Sequence, residues 1–121
     1  MAKILVCEDD FMMIKAIEHK LQREGYQVVV ANDGRAASEK IKSEEFDLII
    51  TDLLMPFTGG LELINMIRNE LGKSTPIIVL SKVGSEETII EAFKLGADDY
   101  LTKPFSPNEL SIRVKRFLLK R

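Results

Sequence analysis

Five short apolar runs alternate with five segments of helical periodicity, and this alternation limits the fold more than any other feature of the chain. The runs are rich in valine, isoleucine and leucine and predict buried strands over 3–7, 27–31, 47–51, 76–81 and 99–102. Helical spacing predicts helices over 11–23, 35–42, 61–71, 86–95 and a last one opening at Ser106-Pro107. Single helices between strands favour right-handed βαβ units, and therefore a doubly wound α/β fold with helices on both faces of a parallel sheet.

Composition describes an ordinary globular domain. The chain has 121 residues, which predicts one domain over 1–121, and its net charge of −2 gives no reason to expect direct binding to nucleic acid. Its single cysteine, Cys7, excludes a disulfide framework and fits a reducing compartment. No run reaches the length of a membrane span and no signal peptide is present, so we expect a cytoplasmic protein without membrane contact. Both a stand-alone domain and a piece of a longer protein are compatible with the sequence.

Charged side chains follow three of the predicted strands. Glu8, Asp9 and Asp10 come after the first strand, Asp52 after the third and Lys103 after the fifth. The carboxyl ends of parallel strands meet at one edge of an open sheet, which is where such folds bind ligands. Clustered acids repel one another unless a cation screens them, and carboxylates are ligands that Mg²⁺ prefers. The pattern therefore predicts a site for a divalent cation and a phosphoryl group.

Asp52 is the candidate nucleophile of this site. Its carboxylate would attack phosphorus to form an aspartyl phosphate, a transfer that needs positioning and charge neutralisation above all. Lys103 would supply part of that neutralisation, with Pro104 fixing the turn beside it, and Ser81 adds a hydroxyl at the same edge. Each residue also has a plainer interpretation, as a solvated acidic turn, a surface lysine or a turn serine. Their combination favours the site.

Several of these residues stand in a recognisable arrangement. Glu8-Asp9 follow the first strand, Asp52 lies in Asp-Leu-Leu-Met-Pro, Ser81 ends the fourth strand, and Tyr100 precedes Lys103-Pro104-Phe105. In this combination the chain resembles the receiver domain of two-component response regulators, the CheY-like domain, over essentially its whole length. The resemblance implies a flavodoxin-like (βα)5 fold with the parallel strand order 2-1-3-4-5.

The resemblance also implies a phosphoryl acceptor and a metal site. Asp52 would take a phosphoryl group from the phosphohistidine of a sensor histidine kinase or phosphotransfer protein. Glu8, Asp9, Asp52 and the main-chain carbonyl of Leu54 would hold Mg²⁺. Asp10 is an acid beyond the usual pair, and we expect it to reach the metal through water.

A switching role for three further residues follows from the same resemblance. Lys103 and Ser81 would bind phosphoryl oxygens, and Tyr100 would turn inward as Ser81 moves. The charge added by phosphorylation would thus favour one of two ways in which the domain packs. The response would reach the face formed by the fourth helix, fifth strand and fifth helix. The domain would therefore be a signalling switch for a downstream effector or an attached output domain, and not a dedicated enzyme.

Two positions predict a long-lived aspartyl phosphate. They are Leu54, two residues after the acceptor, and Val83, two residues after Ser81. Polar residues at these places are associated in the family with orienting the hydrolytic water, and both are apolar here.

Pairing of two copies is an open question in the sequence. Glu109 and Arg113 resemble residues of winged-helix members that pair through the face of the fourth helix, fifth strand and fifth helix. The helix-four position that is basic in those members is Glu91 here, which would repel Glu109.

Two other functions compete with the switch. A phosphohydrolase with an aspartyl-phosphate intermediate would carry a second Asp two residues after the nucleophile, where this chain has Leu54. A degenerate receiver that acts only as a binding module would lack some of the site, whereas Glu8, Asp9, Asp52, Ser81 and Lys103 are all present. No histidine-dependent triad fits, because the single histidine, His19, lies on the first predicted helix.

Overall fold

A computed structural model describes residues 1–82 and 84–119 and has a five-stranded parallel sheet in the order β2-β1-β3-β4-β5. The strands are β1 (Lys3–Cys7), β2 (Gln27–Ala31), β3 (Leu48–Asp52), β4 (Ile77–Lys82) and β5 (Asp99–Lys103). The helices are α1 (Phe11–Arg23), α2 (Gly34–Ser43), α3 (Gly60–Asn65), α4 (Glu86–Leu95) and α5 (Pro107–Leu118). The predicted flavodoxin-like α/β fold is therefore confirmed. None of the helices in the described ranges is long and apolar enough to cross a membrane.

The core forms two layers, one on each face of the sheet. Side chains of α1 and α5 pack on one face, against Ile4, Ile50 and Leu101 among others. Side chains of α2, α3 and α4 pack on the other, against Leu5 and Ile49. Successive residues of each strand contribute to opposite layers because side chains alternate across a sheet, so a strand buried on both faces appears in the sequence as an unbroken apolar run.

Boundaries of β3 and β4 differ from the prediction for reasons of strand pairing. β3 runs one residue further than predicted because Asp52 pairs with Leu80 of β4. β4 begins at Ile77 rather than Pro76, since proline has no N–H to give to the ladder, and it continues to Lys82, which pairs with Lys103.

The third helix is interrupted, contrary to the predicted single helix over 61–71. α3 continues as one turn of π-helix over Met66–Glu70, and the N–H of Leu71 bonds to the carbonyl of Met66 at 2.9 Å. Apolar periodicity does not distinguish a π turn from an α turn over so few residues.

Helix starts differ in how they are capped. Ser106 caps α5 through a reciprocal capping box with Glu109, as expected of the Ser106-Pro107 opening. Ser85 occupies the corresponding position before α4, but its side chain makes no capping bond. The backbone of Ser85 has φ −100° and ψ 26°, whereas a capping residue is normally extended.

Candidate functional site

Three strand ends bring the predicted site residues together. Glu8 directly follows β1, Asp52 is the last residue of β3, and Lys103 is the last residue of β5. The Lys103 Nζ lies 2.7 Å from Asp52 Oδ2 and 2.9 Å from Glu8 Oε1. β4 separates β3 from β5, so the long lysine side chain reaches over one strand to meet both carboxylates. The Lys103–Pro104 peptide bond is cis.

Glu8 is fully buried and both of its carboxylate oxygens are occupied. Oε1 accepts the Lys103 ammonium, and Oε2 accepts the backbone N–H groups of Asp9 and Asp10 at 3.0 and 3.1 Å. Burial raises the pKa of Glu8, and the bonds from Lys103 and the Asp10 N–H oppose that rise only in part. Glu8 therefore shapes the loop after β1 as well as holding the lysine.

The Lys103 ammonium is kept charged by its partners. Burial by itself would lower the pKa of Lys103, but the hydrogen bonds to Asp52 and Glu8 outweigh it and raise the pKa above its ordinary value. One cation thus faces two carboxylates at short range.

A group of carboxylates suited to a cation surrounds this lysine. One oxygen from each of Glu8, Asp9 and Asp52 lies within 4.8 Å of the other two. Three acids beside one lysine leave excess negative charge, and hard oxygen ligands of this kind fit Mg²⁺. Asp10 does not join them, because it caps α1 by accepting the N–H of Met13 at 3.2 Å. The cap gives the extra acid a structural role, and its contact with the metal through water stays a prediction.

The loop after β3 closes tightly on Asp52. The Leu54 N–H approaches Asp52 Oδ1 at 3.3 Å, while the Leu54 side chain points outward and is 67% exposed. Gly60 lies so close that an added Cβ would fall 2.5 Å from the Asp52 carbonyl oxygen. A cleft of about 320 Å³, lined in part by Asp9, Leu54 and Gly59, leads to this loop.

Ser81 is the second-last residue of β4, and Tyr100 is the second residue of β5. Ser81 is 1% exposed, and its hydroxyl is the buried side-chain polar atom without a hydrogen-bond partner within residues 1–82 and 84–119. A buried hydroxyl left unpaired is costly. Tyr100 is 38% exposed and makes an edge contact with Phe93 of α4, with ring centroids 5.9 Å apart. Val83, the second apolar position noted in the sequence, lies outside the described residues.

Sequence comparison decides the family, because residues 4–115 match the response regulator receiver domain. The chain belongs to this family. It is 39% identical over 115 residues to the transcriptional regulatory protein CrdR of Helicobacter pylori, covering 95% of this chain and 54% of that protein. It is 41% identical over 116 residues to the transcriptional regulatory protein ResD of Bacillus subtilis, covering 96% of this chain and 48% of that protein. The receiver chain thus spans about half the length of these relatives, which are signalling regulators and not dedicated enzymes.

Solved structures agree with this membership. The receiver domain of the Francisella response regulator 1452 superposes with a TM-score of 0.92 at 39% identity, covering 99% of this chain and 98% of that one. The chemotaxis response regulator CheY4 of Vibrio cholerae superposes with a TM-score of 0.90 at 38% identity, covering 98% and 99% of the two chains.

Sequence reasoning missed one charged neighbour of the receiver site. Lys82 directly follows Ser81 at the end of β4 and is exposed. Lys82 could have been found from its position directly after the Ser81 hydroxyl, but the predicted strand ended at Ser81.

Proposed function

We propose that Asp52 is the phosphoryl acceptor of a two-component switch, with a sensor histidine kinase or a phosphotransfer protein as donor. The observation that carries this proposal is the Asp52 side chain, 11% exposed, with the Lys103 ammonium 2.7 Å from its Oδ2. A nucleophile at a strand end, already paired with a cation, suits a reaction in which negative charge accumulates on phosphoryl oxygens.

The transfer replaces one bond to phosphorus by another. A carboxylate oxygen of Asp52 donates its electron pair to phosphorus as the phosphorus–nitrogen bond to the donor histidine breaks. The imidazole leaves with that bond's electron pair, and Asp52 becomes an acyl phosphate. Lys103 would turn from the carboxylates to a phosphoryl oxygen. The Ser81 hydroxyl, which has no hydrogen-bond partner among the described residues, would donate to another.

Mg²⁺ is the cofactor that the acidic group fits. Glu8, Asp9, Asp52 and the main-chain carbonyl of Leu54 would hold it, with Glu8 contributing while its oxygens also serve Lys103 and the loop. When bound, the ion supplies positive charge that screens the carboxylates and the incoming phosphoryl group.

The aspartyl phosphate would act on the α4-β5-α5 face through Ser81 and Tyr100. Donation from Ser81 to a phosphoryl oxygen would draw the end of β4 inward and leave room for the Tyr100 ring, now partly exposed against Phe93. The altered face would then control a downstream effector or an attached output domain, in the cytoplasm. Residues 1–121 form the receiver domain in this proposal, which does not itself bind nucleic acid or membrane.

Homodimerisation through the α4-β5-α5 face would need its ion pairs to be rearranged. Asp99 is paired within the chain, with Arg113 at 2.6 Å and Arg116 at 3.4 Å. Glu109 is held in the capping box of α5, and Glu91 carries the same charge. We propose that such a dimer forms only after phosphorylation.

Intact-mass measurement tests the acceptor. Incubation with Mg²⁺ and acetyl phosphate should add about 80 Da, the mass of one phosphoryl group, to the wild-type chain and to the control Glu70→Gln, but not to Asp52→Asn. An adduct that persists in Asp52→Asn would assign the acceptor to another residue. A wild-type chain that forms no adduct would favour the degenerate receiver that acts only as a binding module.

A further inference from the structure

Lys82 occupies the strand position directly beside Lys103. The two residues are partners in the register of β4 and β5 and are the last residues of their strands. Neighbouring strands lie about 4.8 Å apart, so the side chains of Lys82 and Lys103 start from adjacent backbone positions at the end of the sheet.

Lys82 also belongs to the same face of the sheet as the acceptor. The residues two positions before Lys82, Asp52 and Lys103 all lie in the core layer beneath α1 and α5. Strand side chains repeat with a period of two, which directs these three side chains to that one face at the end of the sheet.

The two lysines differ in what holds them. Lys103 is bound by Glu8 and Asp52. Lys82 is exposed and makes no ion pair or hydrogen bond with any residue of the described ranges. An incoming anion could therefore bind Lys82 without breaking an ion pair or hydrogen bond to any residue in 1–82 or 84–119.

We propose that Lys82 binds a phosphoryl oxygen of the donor and brings the donor to Asp52. A donor phosphoryl group is anionic and must approach three carboxylates, whose charge is offset by Lys103 and, when it is bound, by Mg²⁺. An exposed cation at the entrance raises the local concentration of such a donor. This role rests on the proposed function, in which Asp52 is the acceptor. Lys82 would bind the phosphoryl group of the donor and not its leaving group.

The chemical step with a small donor is the same displacement. An oxygen of Asp52 bonds to phosphorus, the bond from phosphorus to the acetyl oxygen breaks, and acetate leaves with the electron pair. Lys82 takes no part in bond making; it contacts the phosphoryl oxygens as they arrive.

Rates of adduct formation test the proposal. We would measure the second-order rate constant by intact mass with acetyl phosphate and separately with phosphoramidate, which share only the phosphoryl group. Lys82→Met keeps the length of the side chain without its charge. It should lower the rate constant with each donor about tenfold at low ionic strength. Lys82→Arg should retain most of the rate, and the deficit of Lys82→Met should shrink as added salt screens the charge.

A matched control removes the same charge elsewhere. Lys42 is exposed in the last turn of α2, at the opposite edge of the sheet, and Lys42→Met should react like the wild type with both donors. Lys82→Gln serves as a second neutral variant should Lys82→Met fail to fold.

Several outcomes would overturn the role of Lys82. They are a wild-type rate in both neutral variants, an equal loss in Lys82→Arg, a loss that salt does not change, and slowing with only one of the donors. In each of these the wild type still forms the Asp52 adduct, so the proposed function survives. A wild type that forms no adduct with either donor contradicts the proposed function instead.

Discussion

The ammonium of Lys103 lies 2.7 Å from the carboxylate of Asp52, although β4 runs between the strands that carry them. The same ammonium is 2.9 Å from Glu8. The three side chains come from strand ends that are distant in sequence, and their charges depend on one another. Removing any member should therefore change both the stability of the domain and its response to Mg²⁺.

Replacing Lys103 by methionine should destabilise the domain. Lys103→Met leaves Glu8 and Asp52 facing each other without a cation, which should lower the free energy of unfolding by about 3 kcal/mol in metal-free buffer. Added Mg²⁺ should then stabilise the variant more than the wild type, because it screens the same carboxylates. Urea denaturation with and without Mg²⁺ measures both effects. Lys94→Met, an exposed lysine of α4, is the control, and equal stability of the two variants would contradict the prediction.

Replacing Ser81 by alanine should have the opposite effect on the resting domain. The Ser81 hydroxyl is buried without a partner among the described residues, so its removal should raise the free energy of unfolding by about 1 kcal/mol. The same change should weaken binding of beryllium fluoride, a phosphoryl mimic, by about tenfold, since one charge-assisted hydrogen bond is lost. Denaturation and a binding titration test the two parts, with the exposed Ser74→Ala as control. Unweakened binding would argue against Ser81 as a phosphoryl ligand.

An amide at position 54 should shorten the life of the aspartyl phosphate. Leu54 is 67% exposed at the cleft beside Asp52 and has no group to hold an attacking water. Leu54→Asn should speed dephosphorylation about tenfold by positioning that water. The decay of the phosphorylated mass after removal of the donor gives the rate. Leu54→Met, which adds no hydrogen-bonding group, should decay like the wild type, and an unchanged or slower rate in Leu54→Asn would count against the idea.

The first residue of α2 should tolerate no side chain. A Cβ added at Gly34 would fall 1.9 Å from the backbone oxygen of Thr58, in the loop that follows Asp52. Gly34→Ala should cost more than about 2 kcal/mol of unfolding free energy, because backbone must move to admit the methyl group. Gly59→Ala is the control, since its Cβ would meet no atom closer than 3.6 Å. Thermal unfolding that finds the two variants equally stable would refute this.

Acid should weaken the contact between α1 and α5. Glu24, which follows α1, accepts the Ser111 hydroxyl of α5 at 2.7 Å. That hydrogen bond, with the help of Lys115 and Lys20, lowers the pKa of Glu24 below its ordinary value. The stabilisation is present above the unfolded-state pKa and is lost as pH falls through the lower folded-state pKa.

Ser111→Ala should remove most of that pH-dependent contribution. We expect a loss of about 1 kcal/mol at neutral pH and a smaller loss at acidic pH, where the wild-type carboxylate is itself protonated. Chemical denaturation across the acidic range measures the difference. Ser74→Ala, which is exposed, is the control. A loss in Ser111→Ala that does not vary with pH would point to packing rather than to the hydrogen bond.

Local patterns in the sequence were enough to predict the order of strands and helices and the edge of the sheet at which the candidate site lies. The bounds of β1, α1 and β2 agree with prediction because each is marked by unbroken apolar runs or clear helical spacing next to a turn residue. Asp52 and Lys103 were placed at one edge because parallel strands all end on the same side.

Only the tertiary structure decided which partner each polar side chain of the site binds. Asp10 caps a helix, both oxygens of Glu8 are occupied, and Lys82, beside Lys103, has no ion pair or hydrogen bond with any described residue. Apolar periodicity reports burial along one element, whereas Lys103 finds its partners 51 and 95 residues away. Such partners depend on strand register and twist, which arise only when the sheet assembles.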